Sequence, residues 1–364
     1  MNKALAKSSH AYRGHDAPRI RLMLVDDSMV ARAVLSRMIA VDDGFEIVAV
    51  AGTAEDAIVA LGQIRVDIVL LDLEMPGAGG LKSIPKILDA ARGARVLIVS
   101  SLAEEGAEET VAALALGAAD TLPKPGTGRF NGRFSEILLG KLRALGRADT
   151  IPTRATQPRP AGTLRAMNEG PVRLLALGAS TGGIHALTSF FHELPTRIGA
   201  SILVTQHLPE PFMSVFARQL SAASGREALV AEDGLRLLPD RIVIAPGNAS
   251  LTVEVGGGKL VARLVRQRSA SGFLPSVDPM LASAGAMLGA EALGVVFSGM
   301  GRDGLEGAMA LVGAGGSVLV QDEASSAVWG MPRAVAEAGL ACGALPPVRL
   351  ARRIAHRIGE LSCK

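Results

Sequence analysis

The sequence predicts an α/β protein with two mainly parallel sheets arranged in tandem, and three observations predict it. Short apolar runs of strand length alternate with helix-length amphipathic stretches in two long segments, as in parallel sheets with helical crossovers. Between them, residues 148–171 (ADTIPTRATQPRPAGTLRAMNEGP) hold four prolines and no apolar period, the pattern of an interdomain linker. A length of 364 residues accommodates two domains of ordinary size, and 49% hydrophobic with 20% charged residues is a globular composition.

Residues 1–19 form a basic tail that is expected to be disordered, and residues 20–147 form the first domain. Its strands are read at 20–25 (IRLMLV), 46–50 (EIVAV), 67–71 (DIVLL), 95–99 (RVLIV) and 120–122 (DTL), each bounded by Gly, Pro or charge. Five helices fit the intervals. The last spans 135–146, where Ile137, Leu138, Leu142 and Leu145 are spaced for one face. After the linker, the second domain covers 172–360, with strands at 172–177, 201–206, 241–245, 250–255, 259–265, 292–298 and 317–321. The 250–255 and 259–265 runs are joined by Gly256, Gly257 and Gly258, which reads as a hairpin inserted in an otherwise parallel pattern.

Charge and cysteine usage exclude several function classes. The net charge of +3 is uneven, because residues 20–125 hold 9 basic against 16 acidic residues while 126–170 hold 8 against 3. The basic excess lies in the tail and the connector, not clustered on a folded element as a nucleic-acid-reading face requires, so no nucleic-acid partner is expected. Aromatic residues make up only 3%, which weakens any reading based on stacked bases or aromatic cages. The two cysteines, Cys342 and Cys363, imply no disulfide framework. The chain has no signal-peptide-length apolar run in its first 19 residues and nothing near the roughly 18 apolar residues of a membrane span. A cytoplasmic monomer with no membrane insertion is expected.

In the first domain the strand ends carry the chemistry, as the carboxyl edge of an open parallel sheet should. In order they present Asp26 and Asp27, then Asp72, then Ser100 and Ser101, then Lys124. Converging carboxylates repel unless a hard cation such as Mg²⁺ lies among them, and an opposing lysine and hydroxyl suit phosphoryl oxygens. Any one of these aspartates alone reads as a helix cap. Together, VDDS (25–28), LDLEMPG (71–77), VSS (99–101) and PKP (123–125) resemble the flavodoxin-like receiver domain of two-component response regulators. That resemblance implies Asp72 as the phosphorylation site and Mg²⁺ held by Asp26, Asp27, Asp72 and the backbone carbonyl of Glu74. It also implies Ser100 as the switch hydroxyl and Lys124 on the phosphoryl group. Gly79 departs from the Asp or Asn that receivers often carry there, which bears on surface contacts more than on chemistry.

The second domain opens on LGASTGGI (177–184) directly after a strand. A dinucleotide-type GxGxxG turn needs glycine at position 180, which is serine, whereas G-x-S-x-G (Gly178, Ser180, Gly182) sets a nucleophile on a sharp strand-to-helix turn. The pentapeptide is a weak signal by itself, so a base and an orienting acid are needed. Of six histidines, His207 alone directly follows a strand at the same sheet edge; His10 and His15 lie in the tail, His356 in a basic helix, and His185 and His192 in the helix after Ser180. For the acid, Asp303 in SGMGRDG (298–304) is favoured over Asp278 in PSVDPM and Asp322 after the final strand. Either rival could be a cap or a substrate contact. The order Ser180, His207, Asp303 is not that of α/β-hydrolases.

GASTGG, TQHLP, IAPGN, PSVDPM, FSGMGRDG and DEASSAVWGMP are similar to the catalytic domain of the chemotaxis protein-glutamate methylesterases, the CheB family. The resemblance implies a phosphorylation-activated hydrolase that demethylates glutamate methyl esters on chemoreceptor helices, releasing methanol, and deamidates receptor glutamines. It places the oxyanion on the amides of Thr181 and Met300 and makes a chemotaxis histidine kinase the phosphodonor. Mg²⁺ would serve the receiver alone, with no cofactor for the esterase. The alternative from another class is a response regulator whose output domain is a non-catalytic protein-binding module.

Overall fold

The computed structural model describes residues 18–75, 79–100, 104–124, 132–146 and 164–362. The tail to residue 17 and most of the linker, residues 148–163, lie outside the described residues, as do Ser101 and Pro125.

The N-terminal half alternates β1 (Ile20–Val25), α1 (Met29–Ile39), β2 (Phe45–Ala51), α2 (Ala54–Gln63), β3 (Ile68–Asp72), α3 (Gly80–Ala90), β4 (Arg95–Ser100), α4 (Glu104–Ala115), β5 (Asp120–Pro123) and α5 (Gly132–Gly146). The sheet is parallel throughout with order β2-β1-β3-β4-β5. Helices on both faces explain why β3 and β4 read as unbroken apolar runs: every residue of β3 is buried, from Ile68 to Asp72. Ser28 and Thr53 start α1 and α2 by accepting from the amides of Ala31 (3.2 Å) and Asp56 (3.1 Å). The strand order reverses between β1 and β3, so their carboxyl ends open one crevice.

The C-terminal half comprises β6 (Leu174–Ala179), α6 (Gly183–Glu193), β7 (Ser201–Gln206), α7 (Met213–Ser224), β8 (Ala228–Val230), β9 (Ile242–Ile244), β10 (Ser250–Gly256) and β11 (Lys259–Val265). It continues through α8 (Val277–Leu288), β12 (Ala292–Val296), α9 (Leu305–Gly313), β13 (Ser317–Gln321), α10 (Met331–Glu337), β14 (Ala341–Leu345) and α11 (Pro347–Ser362). Seven strands form a parallel sheet of order β14-β13-β12-β6-β7-β9-β8. The 250–265 hairpin forms, but as a separate antiparallel two-stranded sheet beside the parallel one.

Two strands are additional to those read from the sequence. β8 has three residues at the sheet edge, too short for a periodicity signal, and β14 (ACGAL) lacks the β-branched residues that mark a strand. β6 also runs on to Ala179, two residues past the predicted end, because Gly178 and Ala179 stay in register with Thr205 and Gln206 of β7. Gly178 is required there, since a Cβ would stand 2.4 Å from Cγ1 of Val277.

The two halves pack directly. α4 lies against α6 and α7, and Val111 and Leu114 join Ile184, Leu187 and Met213 in one continuous apolar cluster. On the other side Met300, Ala327 and Val328 pack with the apolar residues of β1, β4 and α5.

Candidate active site

The first site lies at the reversal between β1 and β3. Asp26, Asp27 and Asp72 bring ligand oxygens within 4.8 Å of one another. Asp26 and Asp72 are buried, 3% and 2% exposed, so their mutual repulsion is little screened. Lys124, just past β5, donates to Asp72 Oδ2 at 2.6 Å and stands 3.5 Å from Asp26 Oδ2. Burial raises the Asp72 pKa, against the pull of Lys124 and the Glu74 amide, which donates to Oδ1 at 3.1 Å. Burial works against the Lys124 ammonium as well, yet its bond to Asp72 and its charge contacts hold its pKa above the ordinary lysine value. The all-oxygen donor set fits Mg²⁺, and Asp26 Oδ2 is buried without a hydrogen bond, as a metal ligand would be in the metal's absence. The Ser100 hydroxyl is bound at 2.6 Å to that of Thr110 of α4, and both residues are fully buried.

The second site forms where β6, β7 and β12 lie side by side and end at one edge. The turn after β6 carries Ser180, the residue after β7 is His207, and the loop between β12 and α9 carries Asp303. His207 Nδ1 lies 3.1 Å from Ser180 Oγ, and His207 Nε2 lies 2.8 Å from Asp303 Oδ2. These contacts assign the tautomer: Nε2–H donates to Asp303, leaving Nδ1 as the acceptor toward serine. Of the three aspartates weighed from sequence, Asp303 is therefore the one that holds the histidine. Asp322 instead accepts from Ser325 of its own turn, and Asp278 lies behind Asp303, accepting the Gly307 amide at 2.8 Å.

Asp303 is fully buried and firmly held. Its Oδ1 accepts from Ser276 Oγ (2.6 Å) and Ser271 Oγ (2.9 Å), and its Oδ2 from the Val277 amide (2.7 Å). Burial raises its pKa, but the bonds from His207, Ser276 and Val277 outweigh that and hold it well below the usual carboxylate range. The Phe273 ring stacks on His207 with centroids 4.3 Å apart and planes within 11°. Sequence reasoning singled out Asp303 but missed these supports; only Ser276, the N-cap residue immediately ahead of α8, carried a readable cap signal.

The turn that carries Ser180 is equally constrained. Gly182 has φ of 77°, and a Cβ there would meet Ala327 Cβ at 2.5 Å and Ser298 Oγ at 2.8 Å. Gln206 Nε2 donates to the Ser180 carbonyl at 2.9 Å, and Ser298 Oγ to the Thr181 carbonyl at 2.7 Å. The Thr181 and Met300 amides, implied oxyanion donors, face no hydrogen-bond acceptor among the described residues.

The N-terminal half reaches this turn. Thr181 Oγ1 donates to Asp120 Oδ2 of β5 at 2.5 Å, and the same oxygen takes Lys141 Nζ of α5 at 2.6 Å. The Gly182 amide donates to the Ala119 carbonyl at 2.6 Å, and His185 Nδ1 lies 2.9 Å from the Ala115 carbonyl. A cavity of about 390 Å³ between the halves is lined by Asp120, Phe134, Lys141, His207 and Pro209.

Fold and geometry together define a class: a phosphoacceptor-type acidic crevice on a five-stranded parallel sheet, joined to a serine hydrolase constellation on a seven-stranded one. Residues 22–129 match the response regulator receiver domain family, and residues 175–354 match the CheB methylesterase family. The chain is 38% identical over 90% of its length to protein-glutamate methylesterase/protein-glutamine glutaminase 1 of Paramagnetospirillum magneticum, covering 93% of that protein. It is 39% identical over 93% of its length to the corresponding protein 2 of Caulobacter vibrioides, covering 99% of it. The catalytic domain of the Thermotoga maritima CheB methylesterase superimposes with a TM-score of 0.50 at 31% identity, over 51% of this chain and 99% of that one. The chain belongs to the CheB methylesterase family, with a response regulator receiver domain at its N-terminal end.

Proposed function

We propose that this protein is a phosphorylation-activated hydrolase that removes methyl groups from glutamate methyl esters on chemoreceptor cytoplasmic helices and deamidates glutamines at such positions. The observation that carries this reading is the continuous hydrogen-bonded series Ser180 Oγ, His207, Asp303 at one sheet edge, its acid fully buried and held by further donors. The names of the relatives supply the substrate class.

His207 Nδ1, 3.1 Å from Ser180 Oγ, is within reach to accept the hydroxyl proton as Oγ attacks the side-chain carbonyl of the ester. The imidazolium that forms is stabilised by Asp303 through Nε2–H. Negative charge on the carbonyl oxygen is met by the amides of Thr181 and Met300, and losing one such donor costs roughly 3 kcal/mol of barrier. The tetrahedral centre collapses, the C–O bond to methoxide breaks, and Nδ1–H protonates it to methanol. Water then repeats the sequence: Nδ1 takes its proton, its oxygen attacks the acyl carbonyl, and Ser180 Oγ leaves and is reprotonated. With a glutamine substrate the leaving group is ammonia.

Asp72 is the proposed acceptor of a phosphoryl group from a chemotaxis histidine kinase, with Lys124 beside it and Ser100 as the switch hydroxyl. Mg²⁺ held by Asp26, Asp27, Asp72 and the Glu74 carbonyl would neutralise charge on the phosphoryl oxygens. In the unphosphorylated form, Asp120 on Thr181 and Ala119 on Gly182 keep the receiver over the nucleophile turn, consistent with inhibition by occlusion. No helix among the described residues is long and apolar enough to cross a membrane.

The test is methanol release from methylated receptor, with and without a small phosphodonor. Ser180→Ala should abolish release and labelling by a serine-directed fluorophosphonate while Asp72 still accepts phosphate. Release persisting in that variant would overturn the serine mechanism, and a wild-type protein that neither labels nor releases methanol would indicate a non-catalytic output domain.

A further inference from the structure

Gln206 ends β7, one residue before His207, and no step of the proposed acyl transfer uses it. It is 3% exposed. Its Nε2 donates to the Ser180 carbonyl at 2.9 Å, with the His207 carbonyl 3.5 Å away, and two carbonyl oxygens on that side require the amide nitrogen to face them. Its Oε1 is buried with no hydrogen-bond partner among the described residues. Gly183 makes room for that oxygen, since a Cβ there would stand 2.5 Å from it. A buried acceptor without a partner costs stability, and a methionine or leucine of similar size would leave none. Packing alone therefore favours an apolar residue at this position, and the amide is explained by the bond it makes to Ser180.

That bond falls on a peptide unit at the centre of the proposed chemistry. The Ser180 carbonyl and the Thr181 amide belong to one planar trans unit, so they point in opposite directions. Whatever holds the oxygen aims the N–H. Here the oxygen accepts from Gln206 Nε2 and from the Gly183 amide at 2.7 Å. The other proposed oxyanion donor is built the same way: the Gly299 carbonyl accepts from the amides of Gly330 (3.1 Å) and Met331 (2.8 Å), which turns the Met300 N–H to the opposite side. A Cβ on Gly299 would stand 2.9 Å from Ser180 Cβ, so both pinned units border the serine. At Gly299 the backbone does all the pinning, whereas at Ser180 a side chain shares it. Bonds accepted at a carbonyl also polarise the amide across the same unit, which strengthens it as a donor.

We propose that Gln206 is a positioning residue of the acyl-transfer site: by holding the Ser180 carbonyl it aims and polarises the Thr181 N–H toward the oxygen that becomes negative in the transition state. Gln206 itself touches no reacting atom. Its benefit arises as charge develops on that oxygen, so it falls on kcat and not on substrate binding. This inference rests on the hydrolase reading.

Gln206→Met keeps the side-chain size and removes the donor. In full-length protein with Mg²⁺ and a small phosphodonor, it should lower kcat for methanol release about tenfold with KM unchanged. Deleting an oxyanion donor outright costs roughly 100- to 1,000-fold, and here the Gly183 amide still holds the carbonyl. The spectroscopic test is the acyl-enzyme formed by rapid mixing with an aryl ester carrying a ¹³C-labelled carbonyl. Its infrared stretch should lie at higher wavenumber in Gln206→Met than in wild type, because a weaker oxyanion donor polarises the carbonyl less. Gln206→Leu should repeat both changes, and thermal melts establish that each variant is folded. A kcat within twofold of wild type, or an unshifted stretch, in a folded variant overturns the proposal. Methanol release persisting in Ser180→Ala would overturn the hydrolase reading instead, an outcome separate from both Gln206 readouts.

Discussion

If the receiver restrains the hydrolase as proposed, the contact between Asp120 and Thr181 predicts that basal activity depends on one carboxylate of the receiver. Replacing Asp120 by alanine removes the 2.5 Å bond to Thr181 and the Lys141 pairing on the same oxygen. Hydrogen bonds to charged groups contribute about 1.5–3 kcal/mol. At about 1.4 kcal/mol per factor of ten, their loss shifts the balance of closed and open arrangements by roughly 10- to 150-fold. The lower end is the better expectation, because the Asp120 side chain is 13% exposed and water replaces part of the bond. Other contacts persist, including Gly182 to Ala119 and the shared apolar cluster of α4 with α6 and α7. Unphosphorylated Asp120→Ala protein should therefore release methanol about tenfold faster than wild type, with its stimulation by a phosphodonor reduced to match. Asp120→Asn, a neutral acceptor, should fall between. Because Asp120 Oδ1 also takes the Thr121 amide at 2.8 Å, a thermal melt must accompany the rates. A basal rate within twofold of wild type in a stably folded Asp120→Ala protein would refute the occlusion argument.

Three further outcomes follow from the same geometry. Gly182→Ala places a Cβ 2.5 Å from Ala327 Cβ at a φ of 77°, so it should lower the unfolding free energy by about 1–3 kcal/mol in urea titrations and abolish fluorophosphonate labelling. Removing Mg²⁺ with a chelator should prevent phosphorylation of Asp72 by a small phosphodonor while leaving basal methanol release unchanged. Between about pH 4 and pH 7 the native state keeps a proton on Asp278 that the unfolded chain has lost, so wild-type stability should decline as the pH rises through that window. Urea midpoints of Asp278→Asn should lack this slope.

Most of the fold was legible because its central strands are buried on both faces and so are written as unbroken apolar runs. The fully buried β3 and β4 were read to within a residue. β8 and β14 escaped because a three-residue edge strand and a Cys-Gly-Ala strand lack both length and β-branched residues. The residues brought together at the two sites were legible for a related reason: parallel sheets put chemistry at carboxyl ends, and Asp26, Asp72, Ser180 and His207 each directly follow or end a strand. What was not legible depends on tertiary contact alone. Asp120 begins a strand and reads as a solvated acid, with no local signal that its oxygen will meet Thr181, 61 residues away. Thr110 reads as one polar residue within a helix, yet its hydroxyl is bonded to that of Ser100. Asp278 was singled out, but only the position of Asp303 relative to His207 decides between triad acid and neighbour.

These hidden contacts converge on β5. Lys124, one residue beyond its end, holds Asp72; Asp120, its first residue, holds the turn that carries Ser180. At about 3.3 Å per residue the strand spans roughly 13 Å between those two anchors, and its ladder with β4 makes it stiff along its length. A phosphoryl group on Asp72 would compete for Lys124 and for the Ser100 hydroxyl at one end of this element. Ser100 turning toward that group would strand Thr110 Oγ1, fully buried on α4, without its partner. That cost is relieved if α4 shifts, and α4 is the helix packed on α6 and α7. The strand and the helix that meet the acidic crevice are thus both among the elements that press on the C-terminal half. Thr110→Val, which removes the off-state partner of Ser100 at nearly constant volume, should raise the unphosphorylated rate and lower the phosphodonor concentration needed for half-activation. An unchanged half-activation concentration would mean that the crevice acts through β5 alone.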